Sequence, residues 1–305
     1  WYPKLSRLDE DGTWRPHTYH PQAEFAADFG DYSLRLTTPA EWTFGATGDC
    51  TSEPAEPQAL AVRCEARGVL DFALTLWPEW QRSVQRAGHV TLRVLHPPGE
   101  SLKAQRVARY VRWALPRLEA FLGPYPHRSL TAVLMPDWAP EASSMEYPQL
   151  FTLPLLRDDR SLWVDELAAV TFHELTHQWF QAVVASDEAR WPVLDEGMTS
   201  YVEARLLEAY RRETAPVLGR LAPSTWSVWR TEAVSDATVP MATAAEDFRG
   251  LAELGTHVYR RFPLLVEMLA RRYGTEPVDQ ALSDYAREQR FEHPTPAALV
   301  TPFRT

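Results

Sequence analysis

The stretch AAVTFHELTHQWFQ, residues 168–181, sets His173 and His177 four positions apart, with Glu174 directly after the first. On a helix that spacing puts two side chains on one face, with Cβ atoms about 5–6 Å apart. Two imidazoles so placed can reach one Zn²⁺ at about 2.0–2.1 Å each. Glu174 is rotated off their line, so its carboxylate can face an attacking water instead of the metal, as a general base must. An apolar core helix carrying two hydrogen-bonded histidines would show the same letters. A catalytic zinc needs three protein ligands and an open position. Glu196 follows His177 after 18 residues, in the first turn of a new helical run. It could be the third ligand, or a first-turn acid stabilising the helix dipole by under about 1 kcal/mol. Glu203 lies two helical turns further along the same face, where it could accept an N–H from a ligating histidine. A solvent-facing carboxylate fits that position equally well.

The elements that would carry these residues fall into three regions. Residues 1–97 read as a β module: DYSLRLTTP, WTFGATG, QALAVRCEARG, DFALTLW and HVTLRVLH are short, alternating or β-branched, and separated by Gly, Pro and Asp. HPPGE at 96–100 marks the end of that module. From 101 to 122 the apolar period changes to three and four, and Gly123–Pro124 stops the helix. SLTAVLMP at 129–136 reads as a buried strand, and SMEYPQLFTL at 144–153 as an edge strand because it contains Pro. Helices are expected at about 163–184, 194–211, 254–273 and 276–289. The class is α+β, with an N-terminal β domain over 1–97 and a second domain over 98–305. The second divides into an α/β lobe, about 98–190, and a helical lobe, about 191–305.

Bulk properties narrow the partners. The 305 residues are 45% apolar and carry a net charge of −10. That argues against nucleic acid or an anionic membrane and would suit a cationic ligand such as an amine. No apolar run approaches the roughly 18 residues of a spanning helix. Cys50 and Cys64 are the two cysteines, flanking a Pro- and Glu-rich loop, and stay open between a disulfide and free thiols. The default location is cytoplasmic. The chain opens on Trp1 rather than Met, so further segments of the same polypeptide could precede residue 1 or follow residue 305.

HELTH, 18 residues, then Glu followed by Gly is the ligand pattern of the gluzincin metallopeptidases, and within them the chain resembles the aminopeptidase N family. The resemblance rests on HELTHQWF…LDEG, on SSMEYP at 143–148, and on THVYRRFPLLVEMLARRYG at 256–274. Weaker similarity through EFAADFGDYSLRLTTP, ATGD and FEHPTP extends it over nearly the whole chain. It implies a saddle-like, incomplete N-terminal β domain and a thermolysin-like catalytic domain. It implies one zinc ion on His173, His177 and Glu196, with Glu174 as the base. SSMEYP corresponds to the family's Gly-x-Met-Glu-Asn exopeptidase motif. Glu146 would bind the substrate's free ammonium, and backbone groups of Ser144, Met145 and Glu146 would pair with substrate as an added strand. Tyr259 would hydrogen-bond the oxyanion. From its residues alone Tyr259 shares an apolar face with Phe262 and Val266 and reads as core, and Tyr201, Tyr210 and Tyr273 compete with it.

The implied activity is removal of N-terminal residues from peptides with a free amino terminus. An endopeptidase or other gluzincin hydrolase, and a non-catalytic scaffold, are the alternatives. The sequence also departs from the family pattern. Ser143 and Ser144 stand for Gly, Tyr147 for Asn, Asp195 for the Asn before the third ligand, and Phe262 for a Gly in the tyrosine helix. The family's second amine-binding residue would lie before residue 1, and the helical domain that supplies cations for the peptide carboxylate would follow Thr305. The preferred N-terminal residue is not fixed, although Met145 and the many aromatics hint at an apolar one.

Overall fold

The fold comes from a computed structural model that describes residues 1–9, 11–16, 20–22, 26–55, 57–156, 165–217, 223–234 and 239–304. Eleven strands come first: β1 (Arg7–Leu8), β2 (Trp14–Arg15), β3 (Gly30–Pro39), β4 (Thr43–Ala46), β5 (Asp49–Pro54), β6 (Ala59–Val69), β7 (Leu74–Trp77), β8 (Gln81–Ala87), β9 (Val90–His96), β10 (Ser129–Met135) and β11 (Leu150–Pro154). Between β9 and β10 runs α1 (Ser101–Leu122); after β11 come α2 (Glu166–Thr176), α3 (Met198–Thr214), α4 (Thr225–Glu232), α5 (Leu251–Thr256), α6 (Phe262–Tyr273), α7 (Thr275–Glu288) and α8 (Pro296–Val300). The class is α+β, with antiparallel strands first and helices last.

The N-terminal strands form a three-stranded antiparallel sheet, β3-β6-β5, and two antiparallel pairs, β1-β2 and β4-β7. Their core is Val62, Cys64, Ala66, Val69 and Phe72. Residues 49–54 form a paired edge strand where the sequence read as a loop, because their exposed, Pro- and Glu-containing side chains carry no apolar alternation. Cys50 and Cys64 are directly opposed in β5 and β6, with Cα atoms 4.1 Å apart, and are joined by a disulfide.

The next sheet joins strands from both sides of the expected division at residue 97. Its order is β11-β10-β9-β8, with β10 parallel to both neighbours and β8 antiparallel to β9. Strands on both sides of residue 97 therefore share one ladder. The central strand β10 is buried almost throughout, and α1 lays Val107, Val111, Ala114, Leu118 and Leu122 against this core. The expected strand at 144–153 is shorter: Met145 makes an antiparallel bridge to Thr152, and the continuous strand begins at Leu150.

The helices also differ from expectation in ways that matter for the site. The helix expected at 163–184 runs from Glu166 to Thr176 and then turns, with Gln181 at φ 91°; residues 163–164 lie outside the described residues. The helix expected at 194–211 begins with a π turn, Val193–Gly197, and that at 254–273 is interrupted by a second, His257–Arg261. Helix α4 carries no sequence signal, since its eight residues are too few for a helical period to stand out, although Trp226 and Trp229 are buried. Among the described residues no helix is long and apolar enough to cross a membrane.

The two π turns lock together at one contact. A Cβ built on Gly197 would lie 2.6 Å from Phe262 Cδ1, so the ring at the head of α6 occupies the space that glycine leaves. This accounts for a bulky residue where the resembling family carries Gly. Gly197→Ala should cost about 1–3 kcal/mol through overpacking. The denaturant midpoint should fall in Gly197→Ala and recover in Gly197→Ala/Phe262→Leu; no fall in the single variant would contradict the contact.

Candidate metal centre and active site

The helix bearing the histidines is fixed at its start. Asp165 caps it by accepting the Ala168 N–H at 3.0 Å, and α1 holds that carboxylate with Arg106 at 2.9 Å and Tyr110 at 2.5 Å. Leu167, Phe172 and Leu175 sink into the core on the other side. The face left over, Glu166, Ala169, Val170, His173, Glu174 and His177, lines a cavity of about 810 Å³. Glu196 and Tyr259 enter the same cavity from the two π turns. A π turn adds a residue to the helical repeat and re-aims the side chains around it.

The three expected ligands converge. His173 Nε2 and His177 Nε2 are 3.1 Å apart, and Glu196 Oε2 lies 3.0 Å from the first and 3.3 Å from the second. Ligand atoms placed tetrahedrally about 2.0–2.2 Å from one zinc ion would be separated by about 3.3–3.6 Å, so the set fits the ion with slight expansion. The outer ring nitrogens are also accounted for. His173 Nδ1–H donates to Glu203 at 3.1 Å, and His177 Nδ1–H donates to Asp195 at 2.7 Å. Carboxylates behind both rings leave both Nε2 lone pairs directed at one point, an arrangement that calls for a cation between them.

Charge leads to the same conclusion. Burial by itself would lower the His173 imidazole, but hydrogen bonds to Glu196 and Glu203 outweigh it and lift the pKa to about 10. Burial would likewise lower His177, which Asp195 and Glu196 raise well above the ordinary value. Glu196 is buried, which should raise it, yet the two histidines hold it below the usual carboxylate range. The carboxylates thus draw positive charge inward, which a dication held by His173, His177 and Glu196 would supply. Glu174 is 3% exposed, and its Oε2 has no hydrogen-bond partner. Burial pushes its carboxyl up to about 7 against the pull of the histidines.

The other expected residues surround this centre. Tyr259 lies with its ring nearly parallel to that of His173, centroids 6.0 Å apart, and lines the cavity together with Glu196. Burial and the nearby acids raise the phenol well above its ordinary value, so it stays an O–H donor. Glu146 is 5% exposed, lines the cavity, and offers an oxygen within 4.8 Å of ligand atoms of His177 and Asp195. Ser144 also lines the cavity, at φ 57°, a left-handed conformation that suits the Gly of the family motif. Met145 does not line it. Its N–H and C=O both bond Thr152, at 3.1 and 2.9 Å, and strand alternation turns its side chain away from that of its neighbours. An apolar preference argued from Met145 therefore loses its basis. The competing tyrosines are elsewhere: Tyr201 and Tyr210 are buried in the core and Tyr273 is 67% exposed.

Two features escaped the sequence reading. Asp195, which in the sequence stands out only as a departure from the family's Asn, is the partner of His177; its position directly before Glu196 was the available signal. Arg211 and Arg260 line the cavity and carried no signal at all.

A sequence profile of the peptidase family M1 domain matches residues 112–304, well over half of the chain. No curated protein sequence matches. Among solved structures, the fold is similar to an M1 zinc metallopeptidase from Deinococcus radiodurans, with TM-score 0.70 and 21% identity over 92% of this chain. Its mutant bound to a Tyr-Ser-Ala substrate gives the same three values, as does a two-domain M1 zinc metallopeptidase mutant bound to L-arginine. This chain spans 61% of the length of each. At such identity these similarities speak for the fold, and the profile carries the assignment: the chain belongs to peptidase family M1.

Proposed function

We propose that the chain is a zinc-dependent aminopeptidase that hydrolyses the first peptide bond of oligopeptides with a free amino terminus. The observation that carries this reading is the convergence of His173 Nε2, His177 Nε2 and Glu196 Oε2 beside the unpartnered oxygen of Glu174. One Zn²⁺ held by His173, His177 and Glu196 would supply Lewis-acid polarisation of the scissile carbonyl and lower the pKa of the attacking water. Glu174 takes the proton from that water as it attacks, then passes it to the nitrogen of the leaving amine, so the carboxylate is regenerated. The Tyr259 hydroxyl donates to the oxygen on which negative charge develops. Glu203 and Asp195 hold the two imidazoles in the tautomer that leaves Nε2 free.

Glu146 supports an exopeptidase over an endopeptidase. A buried carboxylate beside the centre recognises an ammonium at one fixed distance from the reacting carbonyl, which admits only the first bond. Thr152 takes both polar groups of Met145 and the Ser144 N–H, so substrate pairing through the backbone of these two residues would be limited to the Ser144 carbonyl. The net charge of −10 supports peptide cations over nucleic acid or anionic membranes as partners. The cross-strand disulfide favours an oxidising compartment over the cytoplasm expected from the sequence.

Glu174→Gln should retain zinc and lose at least about 10³-fold in kcat on a leucyl anilide, since a positioned base contributes typically 10²–10⁴-fold; activity within tenfold of the parent would remove Glu174 from the role. Glu203→Ala should weaken zinc retention about 10- to 100-fold, read as metal content after dialysis against graded chelator, and equal retention would show that the hydrogen bond does not matter. Acetylating the amino terminus of a peptide should abolish cleavage, and Glu146→Gln should raise KM for the free peptide. Equal turnover of acetylated and free peptides would favour an endopeptidase.

A further inference from the structure

The cavity changes character along its length. Near the ligands it presents Glu146, Glu174, Glu196 and Glu203, whereas two guanidinium groups, Arg211 and Arg260, also line it. On α3 the residues facing the cavity are Glu203, Leu207 and Arg211, one helical turn apart in succession. Arg211 therefore sits two turns, about 12 Å of helix axis, beyond the carboxylate that braces His173.

Arg211 is a cation with donors to spare. Its side chain is 13% exposed and its nearest carboxylate in an ion pair, Glu208, is 3.8 Å away. Glu208 already accepts the Thr225 N–H at 2.6 Å. The other acid acting on Arg211, Asp165, is engaged by Arg106, Tyr110 and the Ala168 amide. One Arg211 nitrogen donates to Thr225 Oγ1 at a long 3.4 Å, and its buried Nε has no partner. Burial lowers the guanidinium below its ordinary range. A buried donor left unmatched is costly unless something else fills the place. Arg260 is better engaged: it lies over the Trp229 ring at 4.7 Å and bonds Glu232 at 2.7 Å. Val170, Leu207 and Val228 add apolar wall to the same cavity.

We propose that this part of the cleft is a carboxylate subsite, in which Arg211, assisted by Arg260, receives the C-terminal α-carboxylate of a short peptide whose ammonium rests at Glu146. The planar, multi-donor guanidinium suits a carboxylate, and the acidic centre repels one, so a zwitterionic peptide has one favoured orientation. An extended chain spans about 3.3–3.6 Å per residue, so two to four residues beyond the scissile bond bridge the gap once the arginine side chain reaches back. The substrate class is then peptides of about three to five residues with a free carboxyl terminus. This rests on the aminopeptidase reading above.

The test compares Leu-Ala-Ala with its C-terminal amide on the zinc-loaded full chain, with the leucyl anilide, which has no carboxylate, as a separate probe of aminopeptidase activity. The acid should be favoured about 10- to 100-fold in kcat/KM, mostly through KM, as expected for a charge-assisted hydrogen bond. Arg211→Gln should bring the acid-to-amide ratio to about 1, and Arg211→Lys should restore part of it. Calorimetric binding of both peptides to Glu174→Gln, with and without Arg211→Gln, reads the same ratio without turnover. No cleavage of the anilide would overturn the aminopeptidase reading and leave this binding comparison to decide the subsite. Equal handling of acid and amide by the parent chain, or a preference that survives Arg211→Gln, would overturn the subsite.

Discussion

Two imidazole nitrogens 3.1 Å apart, each turned inward by a carboxylate behind its ring, are the constraint around which this molecule is arranged. Left without positive charge between them, their lone pairs would oppose each other in a buried pocket of five carboxyl groups. Every nearby structural feature serves that convergence. The capped start of α2 fixes the histidine face, the Val193–Gly197 turn brings both Glu196 and Asp195 to it, and Glu203 closes the arrangement from the next helix.

The same constraint explains why two helices depart from α geometry where they do. Glu196 and Asp195 are consecutive yet serve different atoms of the cluster: Glu196 faces both Nε2 atoms, and Asp195 reaches the back of the His177 ring. A five-residue π turn lets neighbours diverge in this way, and a second one brings Tyr259 into the same cavity as Glu196. Gly197 and Phe262 hold the turns against each other. The active-site geometry therefore depends on packing between two helix starts as much as on the ligands themselves.

The meeting of His173, His177 and Glu196 beside Glu174 was legible because metal chemistry demands residue types at fixed helical and inter-helical spacings. Glu203 was legible as a candidate by helical period alone. Asp195 was harder to assign, since an acid next to a ligand in sequence normally points elsewhere. The pairing of β8 and β9 was not legible because alternation reveals a strand but not its partner; β9 pairs in parallel with β10 across the whole of α1. The pairing of Met145 with Thr152 was not legible either, since the motif gives no sign of where its neighbouring strand lies. The disulfide was undecidable because Cys50 lies on an exposed strand with no apolar pattern. Arg211 had no signature at all, since only the fold shows that a helix-borne arginine, one among many, has a buried nitrogen without a partner.

The central claim is that one cation sits where the two Nε2 atoms and the Glu196 carboxylate meet. Anomalous diffraction at the zinc absorption edge, on crystals grown from metal-loaded protein, measures this most directly. The account requires a single strong peak per chain, about 2.0–2.2 Å from His173 Nε2, His177 Nε2 and a Glu196 oxygen. A peak among Glu146, His177 and Asp195 instead, or none at full zinc loading, would contradict it.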